Sequence, residues 1–269
     1  SRKWKIKLVT EKMTKEFERR ISGAKLYLKT IDYSGGAADS PEFVFLHEGL
    51  GSVEQWKDLP EKVLKKFAGK GVVYDRQGYG RSGNRKYDFD FNYLHTEAIE
   101  ILPRVIDLVG FKNPYLVGHS DGGSIALIFA GNYPDATRAV VAEAAHVMVE
   151  DETVSGVLAA MEDFEQNGLR RALEKYHGEK TETVFENWSQ TWTAENFRYW
   201  NIDMFLKRIK CPVLALQGKD DKYGTIRQLH KIESIVKTAE TCFLEECGHA
   251  PHRDQEEMFI SKIGNFISK

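Results

Sequence analysis

Short apolar runs alternate with segments of helical periodicity along most of the 269-residue chain. Near-continuous apolar runs are typical of parallel strands that are buried on both faces. They predict strands over residues 42–47, 71–75, 114–119, 136–145, 211–218 and 239–246. The other periodic segments predict helices over residues 56–68, 93–110, 122–134, 225–237 and 255–268. This alternation predicts an α/β fold with a mostly parallel central sheet and helices on both of its faces.

Two parts of the chain depart from the alternation. Residues 16–23 and 24–34 alternate apolar and polar with a period of two, which predicts an antiparallel hairpin that leads into the sheet. Residues 147–208 are helical in pattern, rich in charge and free of strand-like runs. We therefore predict a core formed by residues 1–146 and 209–269, interrupted by a helical insertion over residues 147–208.

The composition is that of an ordinary globular protein, with 42% hydrophobic and 29% charged residues and a net charge of −2. A charge this small offers no general attraction to nucleic acid or to an acidic membrane, and we expect neither as a partner. Basic residues cluster only near the start, where acidic residues soon follow. We interpret this cluster as a solvent-exposed end: Arg2, Lys3, Lys5 and Lys7.

Cysteine usage and the start of the chain bear on its compartment. The three cysteines, Cys211, Cys242 and Cys247, form no dense framework, which favours a reducing environment. No apolar run approaches the roughly 18 residues that a membrane span needs. Residues 1–15 also lack the apolar stretch of a secretion signal. We therefore expect a cytoplasmic protein.

The segment G-H-S-D-G over residues 118–122 lies between a predicted strand and a predicted helix. A nucleophilic serine needs such a turn, because its backbone is strained and small residues two positions away prevent clashes. The following helix N-terminus offers free N–H groups and a favourable dipole to a developing oxyanion. The alternative is an ordinary helix start that Ser120 merely caps. The strand-to-helix context favours Ser120 as a nucleophile.

A serine hydroxyl needs a base, normally a histidine that a carboxylate orients. In this type of fold the serine comes first, then the acid, then the histidine. His249 follows the last predicted strand, where active-site loops of open α/β sheets lie, and we predict it as the base in preference to His252 and to the helical His230. The acid is expected after the preceding strand, where Asp220 and Asp221 both fit.

The chain resembles the α/β-hydrolase fold superfamily over roughly residues 20–269. The segments that carry the resemblance are FLHEGLGS (45–52), YDRQGYGRS (74–82), VGHSDGG (117–123), LALQGKDD (214–221) and CGHAPHRDQ (247–255). The superfamily usually places its acid three residues after the glycine, which favours Asp221. The resemblance also implies that His249 is the base for Ser120 and that the helical insertion is a lid over the site.

The resemblance further implies an oxyanion hole beside the serine. The N–H of Asp121 is expected as one donor, and the second is expected from Gly49 or Leu50. Glu48 departs from the common pattern, in which a glycine follows the histidine of this segment directly. Its carboxylate either positions a substrate or points into solvent. Two acids near the pocket disfavour a strongly anionic substrate group beside them.

Several aromatic side chains are candidate pocket residues. Trp188 and Trp192 lie four residues apart and share a helix face, so that they, with Trp200, either line an acyl pocket or form the core of the lid. His146 follows a predicted strand and either faces the pocket or packs as a core histidine.

Two other sites fit the sequence less well. Residues 78–83 match G-x-G-x-x-G, but the sequence after them is a poor helix former, whereas a bound dinucleotide needs a helix N-terminus there. The spacing His249-x-x-His252-x-Asp254 resembles a set of metal ligands, but no further pair with ligand spacing supports it. The resemblance makes His252 and Asp254 structural residues. We expect no cofactor and no metal.

The combined residues predict a serine hydrolase that cleaves a small carboxylic ester through an acyl-enzyme. The same triad on this fold can also cleave carbon–carbon bonds of vinylogous diketones, amides, thioesters or lactones, and these alternatives stay open. A ligand receptor that kept the fold and lost turnover is a more distant alternative. The expected partner is a small-molecule substrate, and the sequence does not distinguish a monomer from a homodimer.

Overall fold

The computed structural model describes residues 12–268. The basic residues interpreted as a solvent-exposed end (Arg2, Lys3, Lys5 and Lys7) lie outside this part of the chain. Within it, the strands are β1 (Met13–Ile21), β2 (Ala24–Asp32), β3 (Glu42–Leu46), β4 (Lys70–Tyr74), β5 (Tyr115–His119), β6 (Ala139–Glu143), β7 (Val213–Gly218) and β8 (Ala239–Leu244).

All of these strands belong to one sheet with the order β1-β2-β4-β3-β5-β6-β7-β8. The hairpin β1–β2 is antiparallel, and β2 pairs antiparallel with β4. Every other neighbouring pair, from β4–β3 to β7–β8, is parallel. The predicted fold class, including the mostly parallel sheet and the N-terminal hairpin, is therefore confirmed.

Helices connect the strands and continue through the insertion. They are α1 (Leu59–Phe67), α2 (Tyr93–Thr96), α3 (Leu102–Val109), α4 (Asp121–Asn132), α5 (Asp151–Gln166), α6 (Leu169–His177), α7 (Thr181–Thr193), α8 (Asp203–Leu206), α9 (Ile226–Ile235), α10 (Pro251–Asp254) and α11 (Glu256–Ile267). A π-helical turn over Glu97–Ile101 joins α2 to α3, so that the helix predicted over residues 93–110 is continuous. No helix of the described residues is long and apolar enough to cross a membrane.

Each face of the sheet has its own hydrophobic core, because successive side chains of a strand point to opposite faces. In β3, Phe43 and Phe45 pack into the core that contains the apolar faces of α1 and α11. Val44 and Leu46 pack into the core that contains α4 and much of the insertion. The helices predicted for both faces are therefore present, and the near-continuous apolar runs follow from this two-sided burial.

Most predicted boundaries differ from the observed ones by one to three residues, and two of these differences have a clear local cause. The strand predicted over residues 136–145 is shorter, because Ala144 adopts a positive φ of 48° that ends β6 at Glu143. The strand predicted over residues 211–218 begins only at Val213. The preceding Pro212 has no N–H with which to continue the sheet hydrogen bonds.

The helical insertion predicted over residues 147–208 contains α5, α6 and α7. His177 attaches it to the core in two ways, since its Nδ1 accepts the N–H of Gly80 at 3.0 Å and its Nε2 donates to the carbonyl of Leu50 at 2.8 Å. The Lys180 ammonium donates to the carbonyl oxygens of Gly80 and Ser82. The insertion therefore rests directly on the loops that follow β3 and β4.

Candidate active site

Ser120 occupies a sharp turn between β5 and α4. Its backbone has φ 52° and ψ −114°, a positive φ that is uncommon outside glycine. A Cβ atom at position 118 would lie 2.1 Å from the carbonyl oxygen of Gly122, and one at position 122 would lie 1.9 Å from that of Leu46. Both flanking glycines are therefore required by close backbone approach, as a nucleophile elbow demands.

Main-chain hydrogen bonds hold this turn in place. The N–H of Ser120 donates to the carbonyl of Glu143 on the neighbouring strand at 2.8 Å, and its own carbonyl accepts the N–H of Ser124 at 3.0 Å. The strained conformation is thus fixed from the sheet on one side and from α4 on the other. The hydroxyl of Ser120 remains available to the cavity that this residue lines.

His249 pairs with Asp221 in the structure. Its Nδ1 lies 2.8 Å from Oδ2 of Asp221. The same carboxylate accepts the side-chain N–H of Gln217 at 2.5 Å and the main-chain N–H of Tyr223 at 2.8 Å. Asp220 is exposed instead, and its N–H donates to the carbonyl of Cys247. Of the two acids that the sequence left open, the structure brings Asp221 to the imidazole.

The pair shifts both ionisation equilibria toward the charged forms. Burial alone would lower the pKa of His249, but the charge and hydrogen bond of Asp221, with a further contribution from Glu48, hold it above the ordinary value of 6.5. Burial alone would raise the pKa of Asp221, but the interaction with His249 and the N–H of Tyr223 hold it below 3.8. This coupling stabilises an imidazolium at His249, which a general base forms during acyl transfer.

A cavity of about 400 Å³ lies between the core and the insertion. Volumes of roughly 300–1,000 Å³ are typical of small-molecule sites. Its lining includes the predicted residues Glu48, Leu50, Ser120, Asp121, His146, Trp188, Trp192 and His249. Asp221 is not part of the lining and contacts the cavity through His249. Gly49 packs behind Trp188, since a Cβ atom there would lie 2.6 Å from the indole ring.

The two oxyanion-donor alternatives differ in the structure. The N–H of Leu50 donates to Oε2 of Glu48 at 3.0 Å and is therefore occupied. The N–H of Gly49 takes part in no hydrogen bond within residues 12–268. Asp121 is the first residue of α4, and the N–H groups of a first helical turn have no partner inside the helix. Of the expected oxyanion donors, the N–H groups of Asp121 and Gly49 are thus free, whereas that of Leu50 is used.

The side chain of Asp121 is buried in a polar network. Its Oδ2 accepts hydrogen bonds from the Arg76 guanidinium at 3.2 and 3.3 Å and from the hydroxyl of Tyr93 at 2.9 Å. Trp192 of the insertion donates its indole N–H to the same hydroxyl at 2.9 Å. Burial, which outweighs the attraction of Arg76, raises the pKa of Asp121 above 3.8.

The remaining candidate pocket residues also lie at the cavity. His146 donates Nε2–H to the carbonyl of Tyr223 at 2.9 Å, while its Nδ1 has no partner in the described residues. Its ring packs 5.0 Å from that of Trp192. Trp188 and Trp192 line the cavity and also belong to the hydrophobic core, so the two roles weighed for them coexist. Trp200 packs against Trp192 and Phe197 in that core and is not part of the cavity lining.

The loop that carries His249 is fixed by a buried group of His119, Glu143 and His252. The carboxylate of Glu143 accepts the main-chain N–H of His252 at 2.5 Å and its Nδ1–H at 2.9 Å. Ligand atoms of all three side chains lie within 4.8 Å of one another, as in a metal site. In addition, Nε2 of His119 donates to the main-chain carbonyl of His249 at 2.7 Å. The carboxylate and one nitrogen of each ring therefore already take part in hydrogen bonds, and we assign the group to positioning of the loop.

The G-x-G-x-x-G segment over residues 78–83 forms turns that lead to no helix before α2 at Tyr93. Asp75 stabilises these turns, because its carboxylate accepts the N–H groups of Val53 at 2.6 Å and Arg81 at 2.7 Å. Burial raises the pKa of Asp75 to about 6. The segment therefore lacks the helix N-terminus that a dinucleotide requires.

Sequence reasoning missed three polar residues of the site, Arg76, Tyr93 and Glu143. A signal existed for two of them. Arg76 follows a buried strand directly after Asp75, and Glu143 interrupts an otherwise apolar run in the middle of the sheet. A charge in such a position needs a buried partner. Tyr93 offered no comparable signal, since a tyrosine is common in any core.

Comparisons with known proteins agree with this geometry. Residues 43–261 match the model of the alpha/beta hydrolase family. The human serine hydrolase BPHL is 29% identical over 231 residues, which cover 81% of this chain and 76% of that protein. The 2-hydroxy-6-oxononadienedioate/2-hydroxy-6-oxononatrienedioate hydrolase of Paraburkholderia phymatum is 22% identical over 266 residues, 89% of this chain and 91% of that protein.

A solved structure extends the agreement to the fold. The enol-lactonase from Burkholderia xenovorans LB400 superimposes with a TM-score of 0.72 at 15% identity, covering 94% of this chain and all of that one. The family match spans 43–261, far more than half of the chain, and includes the strand-to-helix turn at Ser120 and the loop at His249. This protein therefore belongs to the alpha/beta hydrolase family.

Proposed function

We propose that this hydrolase cleaves a small carboxylic ester through an acyl-enzyme on Ser120. The observation that carries the proposal is the 2.8 Å contact between His249 and Asp221 at the cavity that Ser120 lines. A histidine oriented in this way can accept a serine proton. The positive φ of Ser120 supports the proposal, because such backbone strain persists mainly where function requires it.

In the proposed first step, Oγ of Ser120 attacks the ester carbonyl and Nε2 of His249 accepts its proton. Asp221 accepts Nδ1–H, which selects the tautomer with a free Nε2 and stabilises the imidazolium. The carbonyl oxygen becomes an oxyanion that accepts the N–H groups of Asp121 and Gly49. Collapse of this intermediate breaks the ester bond, and His249 returns the proton to the leaving alcohol.

In the second step, water attacks the acyl-enzyme and gives its proton to His249. The tetrahedral intermediate then releases the carboxylic acid, and Ser120 recovers its proton from the imidazolium. The two steps use only the ester, one water molecule and side-chain and main-chain groups of this chain. The cavity of about 400 Å³ has room for a small ester beside Ser120.

The charges of the cavity bear on the substrate. Asp121 is paired with Arg76, whereas the Glu48 carboxylate lines the cavity with no cationic side chain among its hydrogen-bond partners in the described residues. Lys57 and Arg253 also line the cavity, but a negative group that lies directly beside Glu48 would be repelled by this carboxylate. We therefore infer that the part of the substrate beside Glu48 is neutral or cationic.

The first test is labelling with a fluorophosphonate, followed by peptide mapping, together with hydrolysis of p-nitrophenyl butyrate. The parent protein should give a single adduct on Ser120 and turn over the ester. Ser120→Ala and His249→Ala should lose both properties, while His230→Ala, which removes an exposed histidine of α9, should retain them. A folded parent protein that is not labelled would overturn the proposal.

A matched pair of esters tests the inference about charge. p-Nitrophenyl butyrate and p-nitrophenyl hemisuccinate have acyl chains of the same length, but only the second has a carboxylate. The parent should hydrolyse the butyrate with the higher kcat/KM, and Glu48→Gln should reduce the difference. Equal preference in the parent protein would contradict a repulsive role for Glu48.

Labelling of Ser120 without hydrolysis of any ester would favour another bond. The carbon–carbon hydrolase among the relatives makes cleavage of vinylogous diketones the next reaction to assay. The same Ser120→Ala variant then serves as the control, because both reactions use the same triad residues.

A further inference from the structure

One guanidinium contacts the carbonyl of the peptide whose N–H, that of Gly49, is one proposed oxyanion donor, and the side chain of Asp121, whose N–H is the other. Arg76 follows β4 and is 1% exposed. Its Nη2 donates to the main-chain carbonyl of Glu48 at 2.7 Å. Its Nη1 and Nη2 donate to Oδ2 of Asp121 at 3.2 and 3.3 Å. The guanidinium thus joins the loop after β3 to the first residue of α4.

The contact with Glu48 acts on the peptide that contains the Gly49 N–H. In a trans peptide the carbonyl and the following N–H point in opposite directions within one plane. The Glu48 carbonyl also accepts the N–H of Gly51 at 3.1 Å and Nδ1–H of His47 at 2.8 Å. Arg76 is the only charged donor of the three. Hydrogen bonds to a charged donor are roughly twice as strong as neutral ones, and they polarise the peptide that accepts them.

The contact with Asp121 acts on the other donor. The side chain of Asp121 is held by Arg76 and Tyr93 beneath the turn, which fixes the position of its own main chain at the start of α4. A planar guanidinium presents several N–H groups in a rigid fork, so one side chain can bond a carbonyl and a carboxylate at once. A lysine ammonium lacks this geometry.

We propose that Arg76 is the positioning residue of the oxyanion hole, setting the orientation of the Gly49 N–H through the Glu48 carbonyl and that of the Asp121 N–H through the Asp121 carboxylate. The proposal rests on the proposed function, since it assigns a role within acyl transfer at Ser120. It predicts that Arg76 contributes to the tetrahedral state much more than to ground-state binding.

The alternative to this positioning role is that Arg76 and Asp121 form an ion pair that only stabilises the fold. Arg76 and Asp121 are both fully buried, and the side chain of Arg76 also packs 4.6 Å above the ring of Tyr79. Removal of one partner of a buried pair leaves an uncompensated charge and can unfold a protein. The test therefore uses Arg76→Met combined with Asp121→Asn, which removes both charges, and also Arg76→Lys, which keeps a cation opposite Asp121.

Arg85→Met is the matched control. The Arg85 guanidinium packs 5.5 Å from the same Tyr79 ring, but it makes no hydrogen bond to Glu48 or Asp121 among the described residues. Its removal should change kcat, KM and inhibitor affinity by less than about threefold. Circular dichroism and melting temperature establish that each variant is folded.

The readout compares two inhibitors of the same chain length. A trifluoromethyl ketone is attacked by Ser120 and becomes a hemiketal oxyanion, with the serine proton on His249, whereas the corresponding methyl ketone binds as a planar ketone. Loss of an oxyanion donor typically costs on the order of 10²–10³ in kcat. We expect the double variant to lose about 10²-fold in kcat and in trifluoromethyl ketone affinity. Methyl ketone affinity and KM should change by less than about threefold.

Arg76→Lys should lose about tenfold in both oxyanion-dependent quantities, because its single ammonium cannot bridge Glu48 and Asp121. Equal losses for the two ketones, or no loss in a folded variant, would overturn the role of Arg76 while labelling of Ser120 in the parent protein leaves the proposed function intact. Failure of the parent protein to react with the fluorophosphonate would instead overturn both proposals.

Discussion

The Nε2–H of His119 donates a hydrogen bond of 2.7 Å to the main-chain carbonyl of His249. The residue just before the proposed nucleophile therefore supports the loop that carries the proposed base. Burial lowers the pKa of His119 to about 3, which keeps its imidazole neutral. A neutral ring with Nε2 protonated is the form that can donate to a carbonyl, so this contact persists across the pH range in which His249 titrates.

Glu143 connects the same two parts of the site. Its main-chain carbonyl accepts the N–H of Ser120, and its carboxylate accepts two hydrogen bonds from His252 in the loop of His249. Glutamine at this position keeps one oxygen acceptor but loses the charge. We expect Glu143→Gln to lose about 1.5–3 kcal/mol in the free energy of unfolding at pH 7, the range for a hydrogen bond to a charged group.

The loss of unfolding free energy in Glu143→Gln should depend on pH. Burial would raise the pKa of Glu143, but its interactions with His252 and His119 hold it below 4.5. A lowered carboxyl pKa contributes stability that is present above 4.5 and is lost as the pH falls through the folded value. Urea unfolding of parent and variant should therefore differ less at about pH 3.5 than at pH 7. Glu245→Gln, at an exposed pair with Lys219, should cost less than about 0.5 kcal/mol at either pH.

Asp221→Asn and Asp220→Asn form a second test. Asparagine at position 221 stabilises the wrong tautomer of His249, and kcat should fall on the order of 10⁴-fold. Asp220→Asn, which changes an exposed side chain, should retain kcat within about threefold. Steady-state kinetics on p-nitrophenyl butyrate distinguish them, and the opposite ranking would assign the acid to Asp220.

The pair of His249 and Asp221 also predicts how kcat/KM depends on pH. The base must be neutral and its pKa lies above 6.5, so kcat/KM should rise with pH through a value above 6.5 and then reach a plateau. The raised pKa of His249 gives stability that is present below 6.5 and lost as the pH rises through the folded value. The lowered pKa of Asp221 gives stability that is present above 3.8 and lost as the pH falls. A kinetic pKa well below 6.5 would contradict the pairing.

Backbone strain at Ser120 predicts an unusual effect on stability. A positive φ in a non-glycine residue costs of the order of 1–3 kcal/mol. Ser120→Gly should abolish activity and raise the free energy of unfolding by about 1 kcal/mol relative to Ser120→Ala. Ala126→Gly in the middle of α4 should instead lower it by about 1 kcal/mol, because glycine is unfavourable in a helix. Denaturant unfolding measures all three, and a less stable Ser120→Gly protein would show that the turn is not strained.

Trp188 and Trp200 allow the role of the cavity wall to be tested separately from that of the hydrophobic core. Trp188 lines the cavity and Trp200 does not, although both are buried. Trp188→Ala should enlarge the cavity, so that the ratio of kcat/KM for p-nitrophenyl octanoate to that for the butyrate rises. Trp200→Ala should leave this ratio unchanged and lose about 3–5 kcal/mol of stability, the usual cost of deleting a buried aromatic ring. If the ratio changed with Trp200→Ala and not with Trp188→Ala, the assignment of Trp188 to the cavity wall would be wrong.

The sequence by itself determined the fold class, the strand-to-helix turn at Ser120 and the loop after the last strand, which carries His249. These features depend on periodicity and on steric rules over a few neighbouring residues, as the close approach at Gly118 and Gly122 illustrates. Spacing alone left Asp220 and Asp221, or Gly49 and Leu50, equivalent. The side chains and N–H groups of adjacent loop residues point in different directions, and which of them points toward the site depends on the rest of the structure.

Only the tertiary structure decided which polar groups meet. Arg76 and Asp121 are 45 residues apart, and His119 and His249 are 130 residues apart. The parallel sheet brings these residues together, because the carboxyl ends of its strands meet along one edge whatever their separation in the chain. A buried charge in the sequence signals that a partner exists, but the strand order β4-β3-β5-β6-β7-β8 determines which partner it is.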